Sequence, residues 1–252
     1  MIRLINVTKT FKALNAVENL SLEVEAGSLF GFLGPNGAGK TTTIKMMAGV
    51  LQPTSGQIFI DGLDLSKEPH AAKRLIGFIP DRPFLYEKLT GMEFLRFIAG
   101  LYGMNSRASL RSQIGSVLDL FDLNHWSSEL IESYSHGMKQ RLVMAAALLH
   151  EPKVLIVDEP MVGLDPRGAR LVKDIFKDEV RKGTTIFMST HSLEVAQEVC
   201  RDIGIIQAGK LIARGSAEDL GKIADTKGSL ESIFLKLTEG KGIAHGKPLS
   251  SD

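Results

Sequence analysis

Gly34-Pro35-Asn36-Gly37-Ala38-Gly39-Lys40-Thr41 stands between the apolar run Leu29-Phe30-Gly31-Phe32-Leu33 and a helix-like segment from Thr42 to Val50. The order reads as strand, glycine-rich loop, helix. Glycines let the backbone curl so that successive N–H groups point inward, and the new helix adds the positive end of its dipole, so the loop suits a polyphosphate. Lys40 would neutralise the β- and γ-phosphates, and Thr41 carries the hydroxyl that ligates Mg²⁺ in loops of this kind. A glycine turn that matches G-x-x-x-x-G-K-[ST] by chance is the bland alternative. The flanking strand and helix patterns argue against it.

Outward from that loop, the chain alternates β-like and α-like stretches. Ile2 to Val7, Leu20 to Val24 and Ser28 to Leu33 read as short strands, with Phe11 isolated between them as either a loop anchor or a stacking ring. Ile58-Phe59-Ile60 before Asp61-Gly62 reads as a hairpin arm, and Leu75 to Ile79 as a buried strand ending at Pro80-Asp81-Arg82-Pro83. From there the pattern turns helical. Thr90 and Glu93 form a capping box, Phe94, Phe97, Ile98 and Leu101 follow at helical spacing, and Leu110 to Phe121 makes a second stripe after Asn105-Ser106. Phe84-Leu85-Tyr86 at the entry is either a docking surface or core.

Ser135 is first of all a helix N-cap, opening a helix that runs to His150. Val154-Leu155-Ile156-Val157 is a continuous apolar run of the kind found in central parallel strands, and it ends in Asp158-Glu159. Carboxylates at the carboxyl end of such a strand lie where ligands bind in α/β sheets. Gly163-Leu164-Asp165 leads into another helix, a strand from Thr185 to Ser189 ends in Thr190-His191, and a hairpin around Ala208-Gly209 precedes two short helices. No internal repeat is present.

Thirty basic and 29 acidic residues leave a formal charge of +1, so the overall balance gives no reason to expect a nucleic-acid or anionic-lipid partner. The single cysteine, Cys200, cannot form an internal disulfide, which fits a reducing cytosol. The longest strictly apolar run, Leu142 to Leu149, is too short to span a bilayer, and Met1-Ile2-Arg3 begins a strand-like pattern rather than a signal peptide. The expected location is cytoplasmic.

The order of these features, from about Ile2 to Leu237, resembles the nucleotide-binding subunit of an ATP-binding cassette transporter. The resemblance rests on the phosphate loop, the strand Val154 to Asp158 with Glu159 after it, Gly163-Leu164-Asp165 as the D-loop, His191 as the switch histidine, and Tyr134-Ser135-His136-Gly137-Met138 at the signature position. It implies an α/β P-loop NTPase core with an antiparallel β subdomain and an inserted α-helical subdomain. The expected domain covers 1–239, with the helical insertion at about 82–150 and a disordered tail at 240–252.

The resemblance further implies an ATPase with ATP and Mg²⁺ as cofactors. Gly34, Pro35, Asn36, Gly37, Ala38, Gly39, Lys40, Thr41 and Thr42 would hold the phosphates, with Phe11 stacked on the adenine. Thr41 and Asp158 would hold Mg²⁺, Glu159 would orient and deprotonate the attacking water, and His191 would contact the γ-phosphate. Two chains would close head to tail, so that Ser135, Gly137 and Asp165 serve the shared interface and its nucleotides. The implied partners are a second ATP-binding subunit, identical or not, and a transmembrane permease, with the chain peripheral on the cytoplasmic face of the membrane. The overall style looks most like the separate ATPase subunits of bacterial exporters.

Two positions depart from the family pattern. Asp81 stands where a glutamine approaches the metal and the water, and it brings a full negative charge near the γ-phosphate, to ligate the metal or to repel the nucleotide until the metal arrives. His136 and Met138 replace a glycine and a polar amide in the signature. The rival reading is a soluble ATPase of the same fold acting on nucleic acid or the ribosome.

Overall fold

The computed structural model describes residues 1–82, 84–104, 107–226 and 228–239. Pro83, Asn105, Ser106 and the expected tail over 240–252 lie outside the described residues. The chain opens with a long hairpin, β1 (Ile2–Phe11) against β2 (Leu14–Val24), which runs from Ile2 opposite Val24 to Phe11 opposite Leu14. Both strands extend past the apolar alternation that marks their far ends. Side chains replace it there: Asn19 N–H donates to Thr8 Oγ1 at 2.9 Å, and Thr10 Oγ1 donates to Asn15 at 2.8 Å. Polar cross-strand pairs of this kind hold a ladder without a hydrophobic stripe.

After β3 (Leu29–Leu33) and α1 (Lys40–Met47), β4 (Ser55–Ile60) and β5 (Leu63–Asp64) join the hairpin in an antiparallel sheet of order β2-β1-β4-β5. Then come α2 (Pro69–Arg74) and β6 (Ile76–Ile79). The next stretch is all helix: α3 (Gly91–Leu101), α4 (Arg107–Leu120) and α5 (His136–Leu148). The capping box forms, with Thr90 Oγ1 accepting from Glu93 N–H at 3.2 Å and Glu93 accepting from Thr90 N–H at 2.9 Å. The buried face of α3 differs from the expected stripe: Phe94, Leu95 and Ala99 are buried, whereas Phe97 and Leu101 are exposed. Phe97 turns outward because its ring meets Tyr86 edge-on, with centroids 5.4 Å apart.

The second sheet continues with β7 (Val154–Asp158), α6 (Pro166–Arg181), β8 (Thr185–Ser189), α7 (Leu193–Val199), β9 (Asp202–Gln207) and β10 (Lys210–Gly215), followed by α8 (Ala217–Ile223) and α9 (Leu230–Glu239). Its order is β10-β9-β3-β8-β7-β6, with every pair parallel except the edge hairpin β9-β10. The run Val154 to Val157 is continuous because both faces of β7 are covered. Val154 and Ile156 pack on the side of α1 and the antiparallel sheet, while Leu155 and Val157 pack on the side of α3 to α6. Truncating Ile156 to alanine between these layers would cost on the order of 2–5 kcal/mol. The parallel alignment brings the ends of β3, β6, β7 and β8 to one edge of the sheet.

Candidate nucleotide site

At the end of β3 the backbone is threaded through spaces that admit no side chain. A Cβ on Gly34 would stand 2.3 Å from the Ile206 carbonyl oxygen, and one on Gly39 would stand 2.5 Å from that of Ala16, with Gly39 at φ 109°. The loop is thus clamped between the β1-β2 hairpin and β9, and the tip of the next hairpin seals it through Gly209 N–H donating to the Ala38 carbonyl at 2.9 Å. Gly39 is the N-cap of α1 and supplies no side-chain hydrogen bond, so the first helical amides are left to an anion. Lys40 Nζ donates to the carbonyls of Gly34 at 2.6 Å and Pro35 at 3.2 Å. Burial pulls its pKa below the ordinary lysine value, and the nearby carboxylates of Glu159 and Asp158 oppose that shift.

The opposing wall comes from β7 and β8. Asp158, the last residue of β7, is buried and accepts a short hydrogen bond from Ser189 Oγ, its register partner on β8. Glu159 follows at φ 51°, an uncommon conformation for a non-glycine residue. Its Oε2 lies 2.8 Å from His191 Nδ1 and accepts from His191 N–H at 3.2 Å. Two donors from one residue therefore fix the carboxylate. Asp81, just past β6, stands across from these groups with its nearer oxygen 4.0 Å from Arg82 Nε.

Asn36 to Thr42, Asp81, Asp158, Glu159 and His191 line a single cavity of about 580 Å³. A larger cavity of about 880 Å³ opens at the other end of the strands, beside Lys153 and Thr184, and contains none of these groups. Gly34 and Pro35 do not line the nucleotide cavity; their carbonyls hold Lys40, which does. Phe11 is exposed at the end of β1, with the Lys9 ammonium 5.1 Å from its ring centre, and does not line the cavity, although Leu14, Asn15 and Ala16 from the same hairpin do.

Ser135, Gly137 and Asp165 lie away from it. Ser135 Oγ accepts from Met138 N–H at 3.2 Å and caps α5, and Asp165 Oδ1 accepts from Gly168 N–H at 2.8 Å and caps α6. Gly137 sits against Gly163 and Leu164. The sequence reading missed Ser189, the partner of Asp158, and the clamp formed by Ala16 and Gly209. Ser189 was findable as the last residue of a strand parallel to β7, whereas the clamp depends on long-range pairing that no local pattern carries.

A glycine-rich loop between a parallel strand and a helix, facing two carboxylates at a neighbouring strand end, defines a P-loop nucleotide-binding cassette. The chain belongs to the ABC transporter family, whose domain it matches over residues 17–162. The solved ATP-binding subunit of an ABC transporter is similar to it with a TM-score of 0.88 and 33% identity, covering 94% of this chain and 99% of that one. A dimeric ATP-binding cassette in a post-hydrolysis state, bound to ADP and Pi, has a TM-score of 0.79 and 25% identity, covering 86% of this chain and 98% of that one. The probable multidrug ABC transporter ATP-binding protein YbhF of Escherichia coli (strain K12) is 40% identical over 214 residues, which are 85% of this chain. The chain spans only 37% of that relative's length. Among the described residues no helix is long and apolar enough to cross a membrane.

Proposed function

We propose that this chain binds and hydrolyses ATP as the engine of a transporter of exporter type. In this reading it closes on a second ATP-binding subunit, identical or not, and works through a separate transmembrane permease from the cytoplasmic face of the membrane. The observation that carries the proposal is the convergence of Lys40, Asp158 and the Glu159–His191 pair on one cavity. The relatives' names, which concern transport, favour this over the nucleic-acid or ribosome reading.

Lys40 exchanges two backbone carbonyls for phosphate oxygens when the nucleotide enters, and the uncapped start of α1 receives the same charge. Glu159 takes the proton of the attacking water, and His191 keeps the carboxylate aimed. Phosphoryl transfer asks mainly for such positioning and for charge neutralisation. Among the described residues no three His, Cys, Asp or Glu side chains form a metal cage. The oxygens of Thr41 and Asp158 on the same cavity nevertheless fit Mg²⁺, which takes one or two carboxylates plus substrate phosphates. When bound, the ion would supply charge neutralisation at the β- and γ-phosphates, held by Thr41 and Asp158, with Asp81 a further candidate ligand. Phe11 is proposed to stack on adenine once the hairpin tip closes on the base.

Glu159→Gln is the test: the amide keeps size and loses basicity. Turnover should fall about 10²- to 10⁴-fold while ATP binding persists and an ATP-dependent dimer accumulates on gel filtration. Ordinary turnover would remove Glu159 from the role of base.

For the permease, the supporting observation is an exposed aromatic ladder. Phe84 is 79% exposed, its ring meets Tyr86 edge-on, and Tyr86 meets Phe97 in the same way. Leu85 is buried and anchors this ladder to the core. The cavity beside it, of about 680 Å³, shares Asp81 with the nucleotide cavity. Phe84→Ser with Tyr86→Ser should release the chain from membranes that contain its partner and leave ATP affinity unchanged; full retention would place the contact elsewhere.

A further inference from the structure

His136, the first residue of α5, lays its imidazole over Gly163 on the loop between β7 and α6. A Cβ on Gly163 would stand 2.2 Å from His136 Cδ2 and 2.4 Å from Nε2, so the ring fills the place that a side chain would take. Gly163 is at φ 78°, and among the described residues no hydrogen bond holds the imidazole, so the fit is one of shape. The loop beneath is a series of short turns. Val162 N–H donates to the Glu159 carbonyl and Leu164 N–H to that of Met161, each at 3.3 Å, before Asp165 caps α6. Only three residues separate Gly163 from Glu159. On its other side His136 lines the aromatic cavity with Asp81, Phe84 and Tyr86.

We propose that His136 is a positioning residue: its ring wedges the serine-bearing start of α5 against the turns that carry Glu159, and thereby relays the state of the aromatic cavity to the hydrolytic carboxylate. The inference rests on the proposed role of Glu159. A glycine at position 136 leaves the gap above Gly163 empty, so the two elements could shift independently. With histidine in place, a displacement of α5 presses on the loop. Small misplacements at a reacting centre cost much in rate and little in ground-state binding.

The experiment is a double-mutant cycle on the intact protein with His136→Ala, Gly163→Ala and their combination, together with His136→Phe. His136→Ala should lower kcat about 5- to 20-fold with the Kd for ATP within about twofold. His136→Phe, which keeps a flat ring without its nitrogens, should restore most of kcat. The backbone strain of Gly163→Ala is common to both backgrounds and cancels, so the two losses should combine to less than their product. Unchanged kcat in His136→Ala, no rescue by His136→Phe, or strictly multiplicative losses would each overturn the proposal. Glu159→Gln in parallel separates the readings: if it turns over normally, the assigned base is wrong, whereas its failure beside a fully active His136→Ala sinks only the wedge.

Discussion

Helices α1 and α5 both open on residues that the nucleotide is expected to meet, yet their N-termini are finished in opposite ways. The N-cap of α1 is Gly39, which offers no side chain, and the phosphate loop, Asp158, Glu159 and His191 of the same chain surround it. The N-cap of α5 is Ser135, whose Oγ already accepts from Met138 N–H, and the neighbouring Gly137 sits against Gly163 and Leu164. One terminus lacks a side-chain cap and opens on the carboxylate-lined cavity; the other is capped and opens on the aromatic cavity. A glycine N-cap costs only about a few tenths of a kcal/mol relative to a serine cap, which is tolerable where a ligand supplies the missing acceptor. The contrast supports a seat complete in one chain for α1 and a lid that needs a second chain for α5.

Mixing two differently damaged subunits tests whether the second site needs a second chain. Lys40→Ala should weaken ATP binding roughly 100-fold or more, since it removes a charge-assisted contact in a partly dehydrated cavity. Ser135→Arg should leave ATP binding to the isolated chain within about threefold and abolish ATP-dependent closure. Each homodimer then has two damaged sites, while a mixed dimer gathers both lesions in one site and leaves the other intact. Closure measured by crosslinking should return on mixing. If subunit exchange is demonstrated and closure stays absent, Ser135 is only a helix cap.

Much of the nucleotide end was legible because its motifs are local. The phosphate loop, the strand of β7 and the capping serine each follow from a few adjacent residues, and the structure puts them at the expected strand and helix ends. The reach of β1 and β2 was not legible, since Thr8, Thr10, Asn15 and Asn19 hold the hairpin by bonds between residues that show no apolar alternation. The outward turn of Phe97 was hidden too. Helical spacing puts Phe97 on one stripe with the buried Phe94, and the Tyr86 ring that holds it outward lies before the helix, where no pattern within α3 marks it.

The second test asks whether Asp81 belongs to the cavity of α1 electrostatically as well as by position. Its side chain is 46% exposed on the rim of that cavity, and an ionised carboxylate there would oppose the γ-phosphate whenever the metal is absent. Removing Mg²⁺ should therefore weaken ATP binding several-fold more in the wild type than in Asp81→Asn. Fluorescent ATP titrations with and without the metal check this. Identical metal dependence would show that the carboxylate does not reach the nucleotide, and would leave Asp81 with the aromatic cavity alone.

The smallest effect lies at the far end of α5, where the helix that carries Ser135 is tied to the sheet. His150 stacks on Tyr102 with ring centroids 3.7 Å apart, its Nε2 is 3.1 Å from the Ile76 carbonyl, and Tyr102 Oη donates to the same oxygen at 3.3 Å. With Nε2–H donating, Nδ1 is left buried and has no partner among the described residues. Burial lowers the His150 pKa below its ordinary value near 6.5, against a smaller opposing effect of the Ile76 hydrogen bond. Arg74 and Glu151 are the charged residues that line the same small cavity. A depressed folded-state pKa means that the unfolded chain binds more protons as pH falls through 6.5. The stability this group contributes is thus whole above about pH 6.5 and is lost toward the lower folded value. His150→Phe keeps the stack and removes the titration. Between pH 7.5 and 5.5 the wild-type Tm should drop further than that of His150→Phe, by roughly 1–3 °C for a domain of this size. Parallel pH profiles for the two proteins would mean that the histidine is neutral to folding and that α5 is anchored at this end by the tyrosine alone.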